Sequence, residues 1–125
     1  MDGFLMLDKG SPPWKFDINS FMMSLRTQWP NAQVREAANE RWVSACIWSI
    51  PNEADREGRL DGFMARSGDH IGLKGAPEEC VAFALWVRSL VPQDVKLLIG
   101  DDQHPETHEV AGNSIAPALV EYFSS

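Results

Sequence analysis

Basic residues are the minority in this 125-residue chain, with eleven lysines and arginines against eighteen acids and a formal net charge of −7. A surface of that sign repels phosphate backbones, which argues against direct binding of nucleic acid. The start, Met1-Asp2-Gly3-Phe4-Leu5-Met6-Leu7-Asp8, has no cationic stretch and only four consecutive apolar residues. It spells neither a secretory leader nor a membrane span, and the cytoplasm is the expected compartment. Cysteine is scarce: Cys46 and Cys80 each sit among apolar neighbours, which suits buried thiols better than a disulfide framework or a zinc site. Neither has a histidine nearby, so a thiolate nucleophile has no support. No nucleophile elbow accompanies the serines, and Ser67-Gly68-Asp69-His70 reads as a turn rather than a compressed triad. Gly72, Gly75 and Gly100 lack the spacing and the following Lys-Ser/Thr of a phosphate-cradling loop. Internal repeats, low-complexity tracts and linkers are also absent.

What is present is core material. The chain is 44% apolar, with five Trp and six Phe, enough to offset the entropy cost of ordering a single domain spanning residues 1–125. Phe4 to Leu7 reads as a strand closed by a turn-rich connection. Asp17 caps a helix whose Ile18, Phe21, Met22, Leu25 and Trp29 recur on one face until Pro30 stops it. Ala32 to Ala37 predicts a short edge strand and Arg41 to Ile50 a long one ended by Pro51. Arg59 to Arg66 and His70 to Lys74 complete an antiparallel meander with one partly exposed face, and Gly62 points to a bulge or a close approach.

Gly75-Ala76-Pro77-Glu78-Glu79 opens a second helix, since proline is harmless at a helix start and carboxylates there suit the helix dipole. Cys80, Val81, Phe83, Ala84, Val87, Leu90 and Val91 make this the most buried helix, with Arg88 expected in a structural salt bridge. Pro92 ends it, Val95 to Ile99 forms a buried strand, and Asn113 or Ser114 caps a last helix that tolerates Pro117 only in its first turn. The expected fold is α+β: a mainly antiparallel sheet of about five strands with two to three helices packed on one face.

Acidity is concentrated at the C-terminal end. From Asp94 onward, Asp94, Asp101, Asp102, Glu106, Glu109 and Glu121 face Lys96 alone, a balance of −5, while the first 93 residues carry twelve acids and ten bases. Such a surface either keeps a small domain soluble or speeds encounter with a basic protein. Within it, the run Asp101-Asp102-Gln103-His104-Pro105-Glu106-Thr107-His108-Glu109 follows a buried strand and holds the raw material of a divalent metal site or an acid-base pair. His104 and His108 are spaced i,i+4, but Pro105 opposes a helix there, leaving the rings no reason to converge on one ion. The run is read as a solvated or partner-contacting loop, with no metal and no cofactor.

Four stretches, Leu25-Arg26-Thr27-Gln28-Trp29-Pro30-Asn31-Ala32, Glu57-Gly58-Arg59-Leu60, Ile71-Gly72-Leu73-Lys74-Gly75 and Cys80 through Pro92, together resemble small cytoplasmic immunity proteins of bacterial polymorphic-toxin systems. The resemblance spans roughly Leu25 to Asp102. It implies a protein that protects its own cell by covering a toxin's active site, without catalysis of its own. The resembling residues are core and turn positions, so no functional residue is carried over. Joined to the charge pattern, this gives a leading expectation: an immunity or antitoxin-like protein, not an enzyme, whose partner is a cognate toxin domain such as a basic nuclease. Its docking surface is expected at Asp101, Asp102, Glu106 and Glu109, with the exposed sheet as second choice. Two readings compete, a small metal-dependent hydrolase using the 101–109 loop and a structural subunit that completes its core by oligomerising.

Overall fold

The computed structural model describes residues 1–37, 44–52, 58–112 and 115–125. Ten elements follow in the order β1 (Asp2–Leu7), α1 (Ile18–Gln28), β2 (Gln33–Glu36), β3 (Ser44–Pro51), β4 (Arg59–Ala65), β5 (His70–Lys74), α2 (Pro77–Leu90), β6 (Leu97–Asp101), β7 (His108–Glu109) and α3 (Ala116–Ser124). The strands form one seven-stranded sheet in the order β2-β3-β4-β5-β1-β6-β7. Every pairing is antiparallel. β2 to β5 are the expected meander, and β1 enters the middle of the sheet between β5 and β6. The fold is therefore α+β as expected, with seven strands rather than about five.

The side-chain alternation of the strands separates a helix-covered face from an open one. Cys46, Trp48 and Ile50 of β3 share the inward face with Leu60 and Met64 of β4, Ile71 and Leu73 of β5, Leu5 of β1, and Leu97 and Ile99 of β6, all buried. All three helices lie over this face. Phe21 of α1 and Phe83 of α2 both pack on the Trp48 ring, at centroid distances of 5.4 and 5.5 Å. Phe123 of α3 meets His108, which is paired in register with inward-facing Ile99. The close approach read at Gly62 is real: the Trp48 indole crosses it so tightly that a Cβ there would lie 2.5 Å from the ring. The register irregularity itself lies in β3, between Ser44 and Cys46.

Local signals act where the sequence puts them. Asp17 accepts a hydrogen bond from the Ser20 amide at 3.1 Å and caps α1. Pro77 occupies the first turn of α2, and Pro117 that of α3. Gly68 turns the chain between β4 and β5 at φ 74°, the left-handed region glycine enters without strain. Arg88 departs from expectation. Its guanidinium donates to the carbonyls of Val95 at 3.0 Å and Pro92 at 3.1 Å, holding the α2–β6 turn instead of a carboxylate. The same turn moves β6 two residues beyond its expected start, because the Val95 amide is spent on the Pro92 carbonyl at 3.1 Å. The expected cap at Asn113 or Ser114 and the start of the strand read from Arg41 lie outside the described residues.

Candidate functional site

Neighbouring residues on a strand point to opposite sides of the sheet, and this divides the acidic pair at the end of β6. Asp101 is paired in register with Gly3 on the helix side and is 6% exposed. Asp102, one residue on, is exposed, and its amide donates to the Asp2 carbonyl at 3.2 Å. Asp101 thus leaves the expected docking set. Its carboxylate is turned inward and occupied, so it offers a partner nothing. Asp102, Glu106 and Glu109 are all exposed around the β6–β7 edge. Glu109 stands 3.9 Å from Lys96 across two exposed side chains, a pair worth little in water.

Asp101 holds the loop that carries those acids. Its Oδ1 accepts the His104 backbone amide at 2.9 Å, and both carboxylate oxygens face the His104 Nδ1, at 2.9 and 3.0 Å. The other ring nitrogen, Nε2, faces the Ser125 carbonyl at 3.3 Å and its hydroxyl at 3.4 Å. The acidic loop is thereby tied through one imidazole to the end of α3. The ring also packs 4.7 Å from Tyr122, and His108 meets the same tyrosine at 4.4 Å. The two histidines, given no reason to converge by the sequence, are brought to one tyrosine. The agent is not a helix through the loop but the short strand β7, which turns His108 onto the inward face.

An Asp101–His104–Ser125 line resembles a relay in residue type, but its hydrogen bonds run the wrong way for nucleophilic catalysis. The Ser125 hydroxyl already donates to the Tyr122 carbonyl at 2.7 Å, so its single proton is not directed at the imidazole. The arrangement is a clamp. Among the described residues, no three His, Cys, Asp or Glu side chains are grouped to hold a metal ion. Both thiols lie in the core, where burial pushes Cys46 up to about 11 and Cys80 up to about 12, away from nucleophilic use at neutral pH.

The open face of the sheet is the second feature. Phe63 lies across Gly72, where a Cβ would fall 2.1 Å from its ring, and Phe4 lies across Gly100, where the distance would be 2.5 Å. His70 sits between them, 6.0 Å from Phe4 and 6.1 Å from Phe63. Ile47 stands beside this platform 45% exposed. The sequence shows the exposed face through its alternation but not its aromatic centre, which arises from pairing Phe63 with Gly72 and Phe4 with Gly100 in neighbouring strands. Comparison of the chain with family models, with curated proteins and with solved structures yields no match. Among the described residues, no helix is long and apolar enough to cross a membrane.

Proposed function

We propose that this protein is an immunity-type binding protein that neutralises a basic toxin domain by covering it with the acidic β6–β7 edge. The observation that carries the reading is the fixed presentation of exposed acids. Asp102 and Glu106 flank His104, which the buried Asp101 grips through both backbone and ring, and Glu109 follows on β7. A charged loop held in one conformation loses little entropy when it binds and steers an oppositely charged partner to it. A basic nuclease fits this description, since its own substrate is a polyanion that such an edge would replace.

The test begins with affinity capture of the chain from lysate of its native host, with partners identified by mass spectrometry and bound metal assayed in the same sample. A basic toxin domain recovered at one to one is expected. The association rate measured with that partner at low salt should then fall by about tenfold or more in Asp102→Lys/Glu106→Lys, and the difference should shrink at high salt. Recovery of the chain alone with stoichiometric metal would replace the reading with a metal-dependent hydrolase. An unchanged association rate would remove this edge as the docking surface.

A further inference from the structure

Asp102 follows β6 and continues its ladder with β1, since its amide donates to the Asp2 carbonyl at 3.2 Å. The register that sets Gly3 against Asp101 and Phe4 against Gly100 therefore sets Asp2 against Asp102. Both acids are exposed on the open face. Residues opposite one another in neighbouring strands stand roughly 5 Å apart at Cβ, and like charges placed so cost stability. The base of that row, Lys74, lies on the far side of Asp2 and is itself flanked by Asp61, so it leaves Asp102 uncompensated. Among the described residues, neither Asp2 nor Asp102 belongs to an ion pair. One step along the same ladder the half-buried Phe4 ring reaches over Gly100, where a Cβ would fall 2.5 Å from it. Phe4 is two residues from Asp2 and Gly100 two residues from Asp102, so the ring and both carboxylates share one face.

We infer that Asp2, Phe4 and Asp102 form a receptor for an arginine side chain of the basic partner. The inference rests on the neutralisation reading and adds to it the side chain that the surface selects. Charge sets the first requirement: two facing carboxylates with no base between them call for a cation. The ring beside them sets the second, a flat one. A guanidinium is planar, so it can lie on the Phe4 ring while its N–H groups donate to both carboxylates at the ring's border. Lysine's ammonium is compact and strongly hydrated and has no flat face to lay there. A bare metal ion fits less well, because among the described residues no third acid, histidine or cysteine joins the pair. Asp102 also belongs to the β6–β7 edge with Glu106 and Glu109, so the receptor adjoins the surface that steers a basic partner in.

The probes are hexa-arginine and hexalysine, equal in charge, titrated at low salt into the isotopically labelled chain and followed by amide chemical shifts. Hexa-arginine is expected to bind about two- to fivefold more tightly, the worth of one exposed cation–π contact, and to shift Phe4, Gly100 and Asp102. That advantage should vanish in Phe4→Leu and survive in Phe4→Tyr, which keeps the ring. Asp2→Asn, at an exposed position, should weaken hexa-arginine binding by about twofold. Equal affinities for the two peptides in the wild-type chain, a comparison that needs no variant, overturn the inference, as does an advantage that survives Phe4→Leu. Shifts confined to residues 103–109 also overturn it, but they keep the neutralisation reading, because the loop alone then takes the basic peptide. Binding of neither peptide removes the acidic edge as a docking surface and the receptor with it.

Discussion

Replacing Asp101 with alanine tests whether this acid belongs to the architecture or to a docking surface. The side chain is 2% exposed and takes two hydrogen bonds from His104, one from the backbone amide at 2.9 Å and one from the ring. Hydrogen bonds to a charged group contribute about 1.5–3 kcal/mol each, and the ring bond takes the lower end because the imidazole retains 16% exposure. The expected loss is about 3 kcal/mol, or a melting temperature lower by roughly 10 °C for a domain of this size. Asp101→Asn keeps an acceptor for the amide and forfeits the charge on the ring, so about half of that loss should remain. Urea unfolding followed by circular dichroism at neutral pH measures both, with exposed Asp102→Ala as the reference, expected to lie within about 0.5 kcal/mol of wild type. A loss below about 1 kcal/mol for Asp101→Ala would refute the clamp and return Asp101 to the surface.

Gly72→Ala should destabilise the protein by about 1–3 kcal/mol in thermal unfolding, because the added methyl displaces the Phe63 ring, and combining it with Phe63→Ala should recover part of the loss. Equal losses in the single and double variants would show that the ring is not the obstacle. Asp17→Ala should cost about 1 kcal/mol through the α1 cap, and a neutral result would mean that the Ser20 amide is satisfied elsewhere. Burial raises both thiols above their ordinary value of 9.0, so their protonated forms favour the fold. That contribution is complete below pH 9 and is lost as pH rises toward about 11 for Cys46 and about 12 for Cys80. Unfolding free energy should accordingly decline above pH 9, less steeply in Cys46→Ser/Cys80→Ser, and native thiols labelling at pH 8 as fast as denatured ones would contradict the burial.

The elements legible in the sequence are those whose apolar spacing spans several turns or several alternations. α1 and α2 combine a helical apolar face with a start signal, Asp17 for one and Pro77-Glu78-Glu79 for the other, and both begin where those signals stand. β3, β4 and β5 alternate over five residues or more, and the turns between them are polar. β7 has two residues, too few for any periodicity, and it forms only because Ile99 and Leu98 offer it partners. Arg88 illustrates a different limit. An arginine stem over apolar surface is legible, but the acceptor its head finds depends on where the following turn places Pro92 and Val95.

The acidic site was legible in composition and misleading in detail, and the missing step was one of parity. Leu97 and Ile99 mark the inward positions of β6, so a strand that continues two residues further also turns Asp101 inward. A buried carboxylate needs a donor, and the only nearby side chain in sequence that can offer a ring N–H is His104, three residues on. Strand parity and the cost of an unpaired buried charge together separate Asp101 from Asp102. The same parity puts Asp2, Phe4 and Met6 on the side opposite Leu5, but it says nothing of what they face. That Lys74, Gly72 and His70 stand beside them follows from β1 pairing with β5 across some seventy residues of chain, a long-range choice that no local pattern in either strand encodes.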